Sequence, residues 1–261
     1  MEKNIYFLSK DISKSFFTDS GPKKAKFLYK TMPLENALKT IKNGLWFAKP
    51  SIWPDPFERR FYAAKCFVNG NVELENPLID RFLCCCMTSK KTSEAHWKTY
   101  SQEQIGIQFQ INRSKLYLFL CCLPQNYHIF IGKVQYQNRD EIENPITKNS
   151  FLGKNFNYNN NEDLAKLLLL KRKAFDYEKE IRIIIKNDKK KKYLLNGIAL
   201  NPKEINFLDI VDTIRIAPTC PNETSDYLIK NLKKITKNQI KIFQSHLYDN
   251  TEENRSIMIS E

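Results

Sequence analysis

The sequence predicts an α+β fold in a single domain, with a central, mostly antiparallel, strand-rich core and short peripheral helices. Short strand-like segments alternate with short helical ones, without the long regular spacing of a doubly wound βαβ chain. Of the 261 residues, 42% are hydrophobic and 12% aromatic, which is enough to bury a substantial core. We expect a polar arm over residues 1–24, the domain over 25–246 and a polar tail over 247–261.

The first half of the domain carries the clearest helical pattern. Pro33 suits a first helical turn, apolar residues recur at helical spacing from Leu34, and Gly44 supplies a left-handed stop. These features predict a helix over residues 31–44. A short apolar run then predicts a strand over residues 45–48.

A proline-rich segment, residues 49–58, follows this strand. Its three prolines exclude regular structure, so we expect an ordered or functional loop that carries Asp55 and Glu58. The alternative is a rigid turn in which Asp55 caps a helix.

The rest of the domain alternates strands with short helices. Residues 180–186 give a sharp strand pattern, because Ile181 and its i+2 neighbours form one apolar face and leave Glu180 and Arg182 on the other. Ser93 is suited to cap a helix. Strands are expected over residues 82–88, 105–111, 129–136, 180–186, 213–217 and 240–243, and helices over residues 93–100, 162–175 and 222–235.

Basic residues dominate the charge of the chain. The 42 Lys and Arg against 29 Asp and Glu give a formal charge of +13, which favours contact with phosphate polymers or anionic ligands. The lysine run at residues 189–192 is more typical of a solvated hairpin end. Charge alone does not identify the partner.

The cysteines and the apolar segments argue against several other classes. The seven cysteines lie mostly inside apolar runs, and neither they nor the three histidines have zinc-site spacing, so we expect reduced core thiols and no metal. No apolar stretch is long enough to span a bilayer, and the first ten residues lack a secretion signal. We therefore expect a cytoplasmic protein without membrane contact.

Common nucleotide-binding and hydrolase motifs are missing from the sequence, but four polar and aromatic elements occur in a defined order. Together they resemble a prokaryotic domain-of-unknown-function family, over roughly residues 27–218. Lys30 departs from the family's usual Arg, and Trp53-Pro54 from its usual Phe-Asn. The four elements are Tyr29-Lys30, Pro54 to Glu58, Cys86 to Thr88 with Trp97 and Tyr100, and Tyr177 to Arg182.

That family is similar, in the order of its elements, to ADP-ribosyltransferase-like folds. The resemblance implies an enzyme that uses NAD as a substrate, with an early strand residue holding the dinucleotide and a late glutamate acting. On this interpretation Tyr29, together with Trp97 or Tyr100, offers flat surfaces to nicotinamide or adenine, and Lys30 meets the pyrophosphate. Core packing is the competing interpretation, above all for Trp97. The neighbouring His96 is more typical of a structural histidine than of a base.

Glu178 and Glu180 are the candidate catalytic residues. Residues two apart on a strand share a face, so both carboxylates can project into one space. Because loss of nicotinamide builds positive charge on the ribose, we assign Glu180 as the main stabilising carboxylate and Glu178 as its partner that orients the nucleophile. The competing interpretation is an exposed edge strand whose acids only pair with Lys179 or Arg182.

The sequence thus predicts an ADP-ribosyltransferase-like enzyme that modifies nucleic acid or protein, with nucleic acid the natural acceptor at a charge of +13. Bacterial enzymes of this sort often act as toxins or antiphage effectors, so the resemblance also implies a neutralising antitoxin or a sensor partner. Two alternatives stay open. One is a non-enzymatic nucleic-acid-binding module with salt-sensitive affinity, and the other is a nuclease built on the acidic pairs, which a dependence on divalent metal would indicate.

Overall fold

The computed structural model confirms the predicted α+β class, with a mostly antiparallel sheet and short helices around it. It describes residues 5–8, 26–63, 66–68, 72–74, 81–91, 93–101, 105–124, 127–143, 156–157, 159–187 and 196–248. The lysine run at residues 189–192 lies outside these ranges. Within the described ranges, no helix is long and apolar enough to cross a membrane.

The strands are β1 (Ile5–Leu8), β2 (Phe27–Pro33), β3 (Leu45–Ala48), β4 (Cys66–Val68), β5 (Val72–Leu74), β6 (Phe82–Thr88), β7 (Gly106–Asn112), β8 (Tyr127–Lys133), β9 (Gln135–Gln137), β10 (Leu170–Arg172), β11 (Glu180–Asn187), β12 (Gly197–Leu200), β13 (Val211–Ile216) and β14 (Lys241–Gln244). The helices are α1 (Leu34–Asn43), α2 (Pro56–Ala63), α3 (Glu94–Ser101), α4 (Arg113–Cys121), α5 (Arg139–Glu143), α6 (Asn161–Leu167) and α7 (Asn222–Ile235). Short 3₁₀ turns cover Pro50–Ile52, Lys173–Glu178, Phe207–Ile210 and His246–Tyr248.

The main sheet runs in the order β1-β8-β11-β6-β2-β7-β13-β14, with β3 on β6 and β12 on β3. The pairings of this sheet are antiparallel except that of β13 with β14. At its centre, β6 pairs with β2 through the single partners Tyr29 and Thr88, and with β3 through Ala48 and Cys84. The sheet therefore opens on one side of β6, between β2 and β3.

Apolar clusters cover both faces of the sheet, so its central strands are buried on two sides. The larger cluster includes Ile181, Ile183 and Ile185 of β11, while the smaller one includes Ile184 and Phe82. β11 lies between β8 and β6, and its Arg182 is 1% exposed. The predicted apolar face of β11 is confirmed, but the edge-strand interpretation is wrong, because β11 pairs with a strand on each side and its acids are buried.

Helix α1 begins three residues later than the sequence predicts. Thr31, Met32 and Pro33 continue β2 and pair with β7, and the sheet ladder takes precedence over the local helical pattern. The stop at Gly44 is confirmed: its φ is 94°, and its N–H donates to Thr40 O at 2.9 Å. A Cβ at Gly44 would lie 2.1 Å from Leu200 O.

The helix predicted over residues 162–175 is shorter in the structure. Helix α6 ends at Leu167, after which β10 pairs in parallel with β9 and Lys173–Glu178 forms a 3₁₀ turn. Helical composition is a local signal, whereas the pairing of β10 with β9 joins segments more than thirty residues apart.

The chain termini add two details. Residues 5–8, inside the predicted arm, pair antiparallel with β8 and so belong to the sheet. In the predicted tail, residues 247 and 248 belong to a 3₁₀ turn in which the His246 ring stacks on Phe243 at 5.5 Å. Residues 249–261 lie outside the described part of the chain.

Candidate active site

A cavity of about 80 Å³ lies where β2 separates from β6. Strands β2, β6 and β11, helix α3 and the 3₁₀ turn before β11 supply its walls. Its lining residues are Tyr29, Lys30, Thr31, Cys86, Met87, Thr88, His96, Tyr100, Glu178 and Glu180.

Strand register explains why residues so distant in sequence meet here. Thr88 pairs with Tyr29 on one side and with Glu180 on the other, and directly paired residues point to the same face of a sheet. The Thr88 hydroxyl also donates to Glu178 O at 2.6 Å. This bond fixes the turn that carries Glu178 above the cavity.

Glu178 and Glu180 face the same space, but by a different route from the one that the sequence predicts. Glu178 ends the 3₁₀ turn, Lys179 adopts a left-handed conformation with φ 45°, and Glu180 is the first residue of β11. Both carboxylates accept from Lys171 Nζ, at 2.5 Å for Glu178 and 3.2 Å for Glu180. Both are buried.

Glu180 belongs to a buried ion cluster. Arg182 Nη2 donates to Glu180 Oε2 at 3.0 Å and to Glu58 Oε2, while Lys171 Nζ lies 3.5 Å from Glu58 Oε1. The guanidinium also donates to Leu168 O at 2.6 Å. With Glu178, three carboxylates face two cations, so the cluster carries one excess negative charge when all are ionised.

The two candidate carboxylates have opposite pKa shifts. Burial alone would raise the pKa of Glu180, but Arg182 and Lys171 outweigh it and lower this pKa to about 2. Burial raises the pKa of Glu178, against the lowering effect of Lys171. Glu180 therefore stays ionised at neutral pH, while Glu178 takes up a proton more readily than an ordinary glutamate.

Tyr100 and His96 form the helical wall of the cavity. The Tyr100 hydroxyl hydrogen-bonds to Glu178, and burial, together with the charges of Glu180 and Glu178, raises the pKa of Tyr100. His96 Nε2 donates to Glu178 O at 3.2 Å, which leaves Nδ1 to accept from Ser93 Oγ at 2.5 Å. Burial lowers the pKa of His96, consistent with a neutral ring.

The cofactor-binding candidates divide into two groups. Tyr29, Lys30 and Tyr100 line the cavity, although Lys30 Nζ already donates to Cys86 O at 2.9 Å. Trp97 is 5% exposed and is not one of the lining residues; its ring lies near Gly106 at the start of β7. Trp97 thus has the surroundings of a core residue.

The proline-rich segment is more regular than predicted, since it contains a 3₁₀ turn and the first residues of α2. Asp55 Oδ1 accepts from Phe57 N at 3.0 Å, so the helix-capping alternative is confirmed. Asp55 Oδ2 also accepts from Arg172 Nε at 3.1 Å. Glu58, one turn further on, reaches the ion cluster.

Lys171 and His96 are the site residues that sequence reasoning missed or set aside. Lys171 lies in the segment predicted as a helix, where one lysine after a leucine run looks like an exposed position. The structure buries it at 8% exposure between three carboxylates. A basic residue just after Leu167–Leu170 was the available signal.

No metal cluster is present among the residues that the structure describes, in the sense of three or more His, Cys, Asp or Glu placed to hold an ion. The three carboxylates of the site are instead contacted by Lys171 and Arg182.

A family model described as "Protein of unknown function (DUF2971)" matches residues 96–183. This range runs from α3 to β11 and carries His96, Tyr100, Lys171, Glu178 and Glu180. It supports the expected similarity to an unknown-function domain family. The comparison with curated proteins gave no match.

Proposed function

We propose that this chain is an ADP-ribosyltransferase-like enzyme that cleaves NAD and transfers ADP-ribose to an acceptor. One observation supports the proposal: an early strand pair, Tyr29-Lys30, a central Tyr100 and the late Glu178 and Glu180 line a single cavity. This is the order of elements that the sequence resemblance implies. Physical roles for the two carboxylates follow from their surroundings.

Glu180 is the proposed electrostatic stabiliser. When the bond between nicotinamide and ribose breaks, its electron pair leaves with neutral nicotinamide, and positive charge develops on the ribose carbon. A carboxylate held ionised by Arg182 and Lys171, with a pKa of about 2, supplies a fixed negative charge. No proton transfer is needed for it to act.

Glu178 is the proposed base. Its raised pKa makes it the better of the two carboxylates at accepting a proton from a hydroxyl or amine that attacks the ribose carbon. The new bond forms on the ribose, and the proton goes to Glu178. Lys171 bridges the two carboxylates and keeps them at a fixed separation.

The size of the cavity limits what enters it. Pockets for drug-sized ligands are roughly 300–1,000 Å³, whereas this cavity is about 80 Å³. We therefore propose that only the nicotinamide end of the dinucleotide enters, against the rings of Tyr29 and Tyr100. Lys30 would exchange its bond to Cys86 O for the pyrophosphate.

The acceptor and the biological role extend the same proposal. With a charge of +13, nucleic acid is the first acceptor to test, and protein is the second. A role as a toxin or antiphage effector in the cytoplasm, held in check by an antitoxin or a sensor, comes from the resemblance alone.

The decisive experiment incubates the purified chain with labelled NAD and total cellular RNA, DNA and protein. Glu180→Gln keeps the size of the side chain and removes its charge, so we expect turnover to fall about a hundredfold or more. Glu58→Gln is the matched control, because Glu58 belongs to the same ion cluster but does not line the cavity. It should lose stability and keep most of its turnover.

Glu178→Gln separates the two half-reactions. If Glu178 accepts the proton of the nucleophile, this variant should lose transfer to an acceptor more than simple cleavage of NAD. Circular dichroism and thermal melting establish that each variant is folded. Equal turnover by folded wild type and folded Glu180→Gln would remove Glu180 from the mechanism.

A further inference from the structure

A second polar group lies on the same face of the sheet as the cavity. Strand register runs from Thr31, on the cavity wall, through Gln108 of β7 to Arg215 of β13. Gln108 Nε2 donates to Thr31 Oγ1 at 3.0 Å. In the neighbouring row, Tyr29 pairs with Gln110. A row of polar side chains thus connects the cavity wall across β2 and β7 to Arg215.

Arg215 is buried at 6% exposure among neutral groups. Its Nη1 donates to Gln108 Oε1 at 3.0 Å, and its Nη2 donates to Gln110 Oε1. The guanidinium lies 5.4 Å from the centre of the Tyr29 ring and 5.8 Å from that of Phe243. These contacts orient the cation, and in the part of the chain that the structure describes no carboxylate pairs with it.

Arg182 provides an internal comparison. It is also buried, at 1% exposure, but it contacts the carboxylates of Glu58 and Glu180. Burial lowers the pKa of Arg215, whereas in Arg182 the effect of burial is outweighed by Glu180 and Glu58, and the pKa rises. A buried cation without an anion is costly, and buried charges in proteins are ordinarily paired, so an anionic ligand is one way to supply the missing charge at Arg215.

The neighbouring side chains add to the positive potential. Lys241 of β14 lies in the row next to Arg215, and its Nζ is 5.2 Å from the centre of the same Phe243 ring. Two cations that share one aromatic ring form a site that attracts an anion. The planar fork of Arg matches two oxygens of a phosphate group.

We propose that Arg215, oriented by Gln108 and Gln110, is a phosphate-binding subsite for the pyrophosphate of a dinucleotide whose other end occupies the cavity. The identity of that dinucleotide rests on the proposed function. Tyr29 lines the cavity and also contacts the guanidinium, so one ring separates the two sites. β2 and β13 are two strand spacings apart, about 10 Å. A cation buried this deeply suits a small ligand better than a nucleic-acid backbone.

The test measures binding of inorganic pyrophosphate, and separately of nicotinamide, by calorimetric titration of the full chain. Wild type should bind pyrophosphate, and Arg215→Gln should weaken this binding about 10- to 100-fold, the range for a lost charge-assisted contact. Nicotinamide carries no phosphate, so its binding should change far less. Lys233→Gln, which removes one exposed charge from α7, is the matched control and should bind pyrophosphate as wild type does.

A second variant protects the test against misfolding of Arg215→Gln. Gln110→Glu keeps the side-chain shape and supplies a carboxylate to the guanidinium that Gln110 already contacts. It should raise the melting temperature and abolish pyrophosphate binding, because the built-in anion takes the place of the ligand.

The outcomes separate this proposal from the proposed function. Pyrophosphate binding that both variants lose supports the subsite even if NAD is not cleaved. Absence of pyrophosphate binding in wild type, or equal affinity in Gln110→Glu, overturns the subsite even if NAD is cleaved. If a single-stranded RNA oligomer binds through Arg215 while pyrophosphate does not, the dinucleotide assignment is overturned in favour of a nucleic-acid backbone.

Discussion

At the scale of single residues, the contributions of the Glu178 and Glu180 carboxylates to stability depend on pH in opposite ways. The pKa of Glu180 in the folded chain, about 2, is below its ordinary value of 4.5, so its stabilising effect is complete above pH 4.5 and is lost as pH falls toward 2. The pKa of Glu178 is raised, so its contribution is present below pH 4.5 and is lost as pH rises through the folded pKa.

Acid titration of Glu180→Gln tests this assignment. The difference in free energy of unfolding between wild type and the variant should be largest above pH 5, at about 3 kcal/mol, and should shrink as pH falls toward 2. Urea denaturation at a series of pH values measures it. Glu35→Gln, which removes an exposed glutamate paired with Lys39, is the control and should show little change. A difference that stays constant from pH 7 to pH 3 would contradict the ion-cluster account.

The sequence identifies the two carboxylates because their spacing around residues 178–180 is a local pattern. It does not reveal the partners that make them unusual. Glu58 lies 124 residues from Arg182, and Thr88 lies 90 residues from Glu178, so those contacts depend on how a helix and a turn pack against the sheet. Trp97 shows the reverse case. It is adjacent in sequence to the cavity residue His96, but it does not line the cavity.

At the scale of secondary structure, the segments with a clear local signal can be predicted. β3, β6 and α7 match their predicted ranges, and Ser93 caps α3 through His96 N at 3.2 Å. Two errors fall where pairing with a distant strand overrides composition, at the start of α1 and at β10. Strand β2 and helix α4 are not predicted at all. Register is a property of the whole sheet, so a single segment does not encode it.

A substitution at Gly44 tests how strongly this glycine is required at the end of helix α1. Its backbone, with φ 94° and ψ −170°, lies in a region that is essentially restricted to glycine, and a Cβ there would meet Leu200 O. Gly44→Ala should therefore lower the free energy of unfolding by about 1–3 kcal/mol or more. Asn43→Ala, at the exposed last residue of α1, is the control for urea denaturation. Equal stability of the two variants would contradict this prediction, because it would show that the backbone around residue 200 moves to accept a Cβ at little cost.

At the scale of the whole molecule, the fold class can be predicted because the alternation of short strands and helices repeats along the chain. The cavity cannot, because it depends on β6 pairing with β2 at one residue and with β3 at another. Negative and positive charge are also found in different parts of the molecule. The ion cluster beside the cavity has more carboxylates than cations, so the excess that gives +13 lies elsewhere on the chain.

This division gives the last prediction, which concerns nucleic acid as acceptor. If basic groups outside the cavity contact the phosphate backbone, binding releases counterions and the affinity falls as the salt concentration rises. On a plot of log affinity against log salt concentration, each phosphate contacted in a duplex adds about −0.9 to the slope, and each one in a single strand adds somewhat less. For only two contacts, raising sodium chloride from 50 to 200 mM should weaken binding about tenfold. Fluorescence anisotropy of a labelled single-stranded RNA measures this with wild type and Glu180→Gln, whose affinities should agree, since Glu180 lies in the cavity. An affinity independent of salt, or no binding at 50 mM, would instead favour a protein acceptor.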